Sequence, residues 1–177
     1  MLTPESSVRA QKALGADIII PLDELPPHHI SRERLTRSVR LSHRWMARSL
    51  REHLREPRQQ AMYAVIHGGT DEELRAESAE YLASLPYDGF AIGGSLGADR
   101  SEMLKLLEFL VPRLPADKPN HLLGIADPES AEAVAPLGQR AAKLSLQVGA
   151  APPRAPSGPT PMRPWPPASA SRPAPCT

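Results

Sequence analysis

Cysteine is almost missing from this chain: the only one, Cys176, stands next to the C-terminus. An intrachain disulfide framework is thereby excluded, and so is a zinc site built from several cysteines. Long apolar runs are missing too, and none approaches the roughly eighteen consecutive residues that suggest a membrane span. The opening Met1-Leu2-Thr3-Pro4-Glu5 has neither the basic start nor the apolar stretch of a signal peptide. A reduced, soluble, cytoplasmic protein without membrane association is expected. An excess of either charge is lacking as well. The 21 Lys and Arg against 20 Asp and Glu leave a net charge of +1, so no global field argues for a polyanionic partner. Nor does the chain contain a P-loop, a G-x-G-x-x-G, a G-x-S-x-G or a metal-ligand spacing.

Proline, in contrast, is abundant and lopsided: ten of the 21 fall in residues 151–177. No acidic residue follows Glu132, and apolar periodicity stops at Arg140. Residues 139–177 therefore read as a low-complexity Pro/Ala/Arg-rich tail, expected to be disordered because it buries too little surface to offset its ordering entropy. Residues 1–138 are enough for one domain with its own core.

Within that domain, helical patterns alternate with short apolar stretches. Thr3 as N-cap and Pro4 at the first helical position open a helix that stops at Gly15. A strand follows over residues 17–22. Ser31 caps a long helix whose stripe is Leu35, Val39, Ser42, Met46, Leu50 and Leu54. The second strand, residues 61–66, runs into His67-Gly68-Gly69, and Thr70 with Glu73 forms a capping box for the next helix. The third strand, residues 90–92, ends at Gly93-Gly94, and Asp99 or Ser101 caps the helix after it. The fourth, residues 121–123, ends at Gly124. Asp127-Pro128 begins a final helix expected to end at Pro136-Leu137-Gly138. Such alternation predicts a parallel α/β fold. Strands this short favour part of a TIM-type (β/α)8 barrel, about four βα units, over a small flavodoxin-like doubly wound sheet.

Parallel β/α folds place ligands outside the carboxyl ends of their strands. That rule selects Asp23, His67-Gly68-Gly69, Gly93-Gly94-Ser95 and Gly124. A carboxylate there accepts from adjacent N–H donors such as those of a guanine-like base. An imidazole N–H donates to a carbonyl, and paired glycines let a flat ligand approach the backbone. Read singly, each has a plain structural explanation, as a loop cap, a structural histidine or a junction glycine. The long helix carries eight arginines between Arg32 and Arg55, but Glu33, Glu52 and Glu56 dilute them and no aromatic platform interleaves, so a solvated face is the expectation.

Taken in order, Leu2-Thr3-Pro4-Glu5, residues 13–19, Leu22-Asp23-Glu24, Val65-Ile66-His67-Gly68-Gly69, Glu73-Leu74-Arg75, residues 89–97, residues 114–119 and Leu122-Leu123-Gly124-Ile125 resemble the central segment of the queuine tRNA-ribosyltransferases, also called tRNA-guanine transglycosylases. The resemblance covers residues 1–138. It implies a zinc-containing (β/α)8 barrel that exchanges guanine for queuine or a related 7-deazaguanine at the tRNA wobble position, through a covalent ribosyl-aspartate intermediate. It further implies that Asp23 reads the N1–H and amino edge of the base, that Gly93, Gly94 and Ser95 line the base pocket, and that Leu123 covers one face. His67 stands where most members carry a glutamine that contacts the base carbonyl, and Leu25 stands at a position that is often cysteine.

Three parts that the resemblance calls for are not found. An Asp-Ser-Gly-Gly-type motif would precede Met1. The nucleophilic aspartate with its Pro-Thr-Arg would begin just after Gly138, where Gln139-Arg140-Ala141-Ala142-Lys143 stands. The zinc ligands Cys-x-Cys-x-x-Cys…His would lie later still. The chain is thus expected to be a fragment, with part of a base pocket and no catalysis of its own. The alternative is a non-catalytic truncated paralogue that pairs with a complete transglycosylase subunit.

Overall fold

A computed structural model describes residues 1–140, apart from His28 and Ala126, together with residues 144–146. Residues 141–143 and 147–177, most of the segment read as a disordered tail, lie outside the described residues. The described chain runs α1 (Pro4–Ala13), β1 (Ile18–Ile19), α2 (Arg32–Arg55), β2 (Ala61–Ile66), α3 (Glu72–Ala83), β3 (Gly89–Ile92), α4 (Arg100–Leu110), β4 (Asn120–Leu122), α5 (Pro128–Arg140) and β5 (Leu144–Leu146). A single 3-10 turn, Val111–Arg113, follows α4.

Helix starts follow their side chains. The Thr3 hydroxyl accepts from the Ser6 N–H and the Ser31 hydroxyl from the Arg34 N–H. Asp99 accepts from the Glu102 N–H at 3.0 Å. At α3 the expected cap shifts by one residue: Asp71, not Thr70, accepts from the Leu74 N–H at 3.0 Å. A carboxylate gains both that bond and the favourable field of the helix N-terminus, which a hydroxyl lacks. Pro136 does not end α5, which continues to Arg140. Its missing N–H forfeits one backbone bond, while Val134 and Leu137 on either side of it are buried in the core. The fourth strand begins one residue earlier than its apolar run because the ladder pairs Asn120 with Phe90.

All neighbouring strands are parallel, and their order in the sheet is β1-β2-β3-β4-β5. The strand order therefore never reverses, whereas a doubly wound sheet must reverse at its switch point. The fifth strand adds to the four read from the apolar pattern. Met62, Ala64, Ile66, Phe90, Ala91 and Ile92 are fully buried, as expected where helices cover a parallel sheet. Met46 and Leu50 of α2, Leu82 of α3 and Leu107 and Leu110 of α4 pack into the same core. Each such side chain contributes about 1.5–3 kcal/mol when fully buried. At β1, the Gln11 side chain donates to the Ile20 carbonyl at 2.8 Å and accepts from the Ile20 N–H at 3.0 Å, standing in for a neighbouring strand.

Candidate functional site

The pairing register gathers the strand-end residues. Ile66 pairs with Ile92 and Ile92 with Leu122, so the next residue in each strand direction, His67, Gly93 and Leu123, forms one row across three strands. The Leu123 N–H donates to the Ile92 carbonyl at 3.0 Å, which carries the ladder into that row. Successive strand residues point to opposite faces, so these three share the face of Val65 and Ala91. Gly93 is needed for space: a Cβ there would stand 3.0 Å from Leu123 Cδ1 and 3.1 Å from Val65 Cγ1.

Asp23 joins the row from β1. Its Oδ2 lies 2.9 Å from His67 Nε2. A carboxylate only accepts, so Nε2 carries the proton and donates it. The Asp23 side chain is 31% exposed and the His67 side chain 4%, so the carboxylate faces the opening and the imidazole stands behind it. The loop that carries Asp23 is pinned to α2: the Glu24 N–H donates to Ser42 Oγ at 2.9 Å, and the Ser38 and Ser42 hydroxyls both reach the Glu24 carbonyl at 3.4 Å.

Behind His67 lies a buried polar chain. Ser78 Oγ accepts from the His67 backbone N–H at 3.1 Å and stands 2.9 Å from His43 Nε2. All three groups are satisfied when the Ser78 hydroxyl donates to His43 Nε2. Burial, and next to it the neighbouring His67, pushes the His43 imidazole down from 6.5 to about 4, so it is neutral at pH 7. Its ring stacks on Tyr81 with centroids 4.7 Å apart.

Arg75 ties the strand ends together. It is fully buried, and its guanidinium donates to the carbonyls of Gly69 at 2.8 Å, Ile66 at 2.6 Å and Ser95 at 3.0 Å. One side chain thus fixes the loops after β2 and β3 against each other. Burial lowers its pKa to about 10, which leaves it charged at neutral pH. Gly68 lets α3 come this close: it has φ +141°, and a Cβ there would stand 2.7 Å from the Arg75 backbone nitrogen.

The residues selected from the sequence divide between two adjoining surfaces that His67 shares. Asp23, His67, Gly93 and Leu123 belong to the strand-end face. His67, Gly94 and Ser95 line a pocket of about 320 Å3 that reaches Gly69 and the first turns of α2 at Leu35 and Ser38. A Cβ on Gly94 would lie 3.6 Å from His67 Nδ1, so the two surfaces meet there. Arg75 enters the resemblance without a role, and Ser78 and His43 carry no local signal of a site, although each occupies a buried helical position where an apolar residue is the norm. Among the described residues no three His, Cys, Asp or Glu side chains converge to hold a metal ion. No described helix is long and apolar enough to cross a membrane.

The family model described as "Queuine tRNA-ribosyltransferase" matches residues 1–138. A queuine tRNA-ribosyltransferase of Protochlamydia amoebophila is 60% identical over 138 residues, 78% of this chain and 36% of the relative. One of Chlamydia felis is 48% identical over 137 residues, 77% of this chain and 37% of the relative. One of Geobacillus kaustophilus is 45% identical over 130 residues, 73% of this chain and 34% of the relative. The chain therefore spans about a third of the length of the curated relatives it matches.

Proposed function

The chain belongs to the queuine tRNA-ribosyltransferase family, and on that premise we propose that its strand-end face takes a guanine-like base. The reading is base recognition in the exchange of guanine for queuine or a related 7-deazaguanine at the tRNA wobble position. The winding of the sheet in one direction supports taking these strands as part of a (β/α)8 barrel, whose sites lie at this end.

In this reading the Asp23 carboxylate accepts from the N1–H and exocyclic amine of the base, while Gly93 offers its main chain to the ring and makes room for Leu123, which covers the ring. Gly94 and Ser95 lend main-chain contact at the rim. The observation that carries the reading is the 2.9 Å bond between Asp23 and His67. His67 spends its Nε2 proton on the carboxylate, so it acts as a positioning residue that aims Asp23 and not as a donor to the base carbonyl. The His67 main chain is held in turn by Ser78.

Equilibrium dialysis of guanine against the full 177-residue chain tests this. Asp23→Asn keeps the volume and removes a charged acceptor, for which a hydrogen bond contributes about 1.5–3 kcal/mol. Binding should weaken about 10- to 100-fold, and unchanged affinity contradicts the reading.

A second reading, a non-catalytic partner of a complete transglycosylase, is favoured by the apolar residues left exposed: Leu14 at 85%, Leu25 at 66% and Ile18 at 48%. The residues after Gly138 are Gln139-Arg140-Ala141, without the aspartate and Pro-Thr-Arg of the resemblance. Both readings therefore expect the chain alone to incorporate no labelled guanine into tRNA. They part in size-exclusion chromatography with a full-length family member, where co-elution favours the partner and separate peaks oppose it.

A further inference from the structure

A second depression, of about 440 Å3, lies on α2 beside the base site. Ser38 lines both it and the smaller pocket, and Glu24, the neighbour of Asp23, forms part of its wall. Its lining carries four guanidinium groups, Arg34, Arg37, Arg40 and Arg44, around Leu41. Positions 34, 37, 41 and 44 follow one stripe of the helix over about 15 Å.

The acidic residues that dilute this helix in the sequence do not dilute it evenly in space. Glu52 turns to Arg9 and Arg55, and Glu56 to Arg58, all at the far end of the helix. Near the groove, Glu33 holds Arg37 at 3.0 Å and Glu77 approaches Arg40 at 3.9 Å, in exposed pairs that contribute little. Among the described residues no carboxylate pairs with Arg34 or Arg44. The groove thus holds four cations near the carboxylates of Glu24, Glu33 and Glu77, with Arg34 and Arg44 the two that none of these pairs with, and it opens beside the residues proposed to receive a base.

From this juxtaposition we infer that the α2 groove is the docking surface for the sugar–phosphate backbone of a single-stranded RNA loop whose base is presented at Asp23. The inference rests on the base-site reading for its choice of RNA. Arg34 and Arg44 meet phosphates directly, Arg37 and Arg40 exchange their carboxylates for phosphates, and Leu41 packs against a ribose between them. With no aromatic side chain in the lining, recognition here is by charge, and it weakens steeply with salt.

The test is fluorescence anisotropy of a labelled RNA stem-loop, with guanine in the loop, titrated with the full chain over a salt series. Each phosphate contact contributes about 0.7 to the slope of log affinity against log salt for single strands. The double variant Arg34→Gln/Arg44→Gln should flatten that slope by about 1.4 and weaken binding about tenfold at low salt. Guanine dialysis on the same variant should be unchanged, since neither residue lines the strand-end face. Absence of RNA binding by the parent chain, or equal slopes for parent and variant, overturns the inference. So does binding of heparin or of phosphatidylserine vesicles as tightly as the RNA, because the groove would then be a general polyanion or membrane surface. Failure of the parent chain to bind guanine while the RNA slope still changes counts against the base site, not against the groove.

Discussion

Ser78 is the residue on which two histidines converge, His43 through its imidazole and His67 through its backbone N–H. That arrangement has a pH signature. His43 is held neutral, with its pKa pushed from 6.5 to about 4 by burial and then by His67. As pH falls through 6.5, the unfolded chain takes up a proton that the folded chain refuses until about 4. The unfolded state then binds more protons, so stability drops with pH across that window. His43→Gln removes the titration, and its melting temperature should fall less than that of the parent chain between those two values in circular dichroism melts. Parallel curves for the two proteins would mean that His43 is not buried as described.

Arg75 acts between elements, and its loss should be felt there. A methionine fills a similar length but leaves the carbonyls of Ile66, Gly69 and Ser95 without this donor. An unsatisfied buried acceptor costs about 1–3 kcal/mol, partly offset because the cation itself no longer needs burying. Arg75→Met should therefore lower the unfolding free energy by about 2–4 kcal/mol in urea titration. A change under about 0.5 kcal/mol, the level of an ordinary surface substitution, would show that Arg75 does not clamp the loops.

The same helix shows where reading the sequence reached and where it stopped. The capping pattern marks the start of α3, whose Leu74, Ala79 and Leu82 are buried, yet Arg75 and Ser78 lie at i and i+3 and are buried with them. A hydropathy stripe passes over polar residues, although a charged side chain inside a buried stripe is itself a signal. Strand ends were legible because apolar runs stop at Asp23 or at glycine-marked turns, and Asp23, His67 and Gly93 follow from those ends, whereas Leu123 came only with the family resemblance. Contacts set by register, such as Asp23 with His67 at 44 residues' separation, are not written in local pattern. Boundaries moved where caps compete, as Asp71 with Thr70 does, or where packing holds a proline inside a helix, as at Pro136.

At the scale of the fold, the five parallel strands among the described residues run in unbroken order and bring the residues just after β2, β3 and β4 into a single row, with Asp23 delivered from the loop after β1. The claim on which the rest depends is that a guanine-like base binds on this row. Two-dimensional 15N–1H spectra of the full chain, titrated with 7-deazaguanine, address it most directly. The backbone amides of Asp23, His67, Gly93, Gly94 and Leu123 should shift together and saturate on one binding curve, and Asp23→Asn should move that curve to about 10- to 100-fold higher ligand concentration. Shifts confined to the opposite ends of the strands, around Gln60, Asp88 and Pro119's neighbour Asn120, or no saturable shifts at all, would contradict the account.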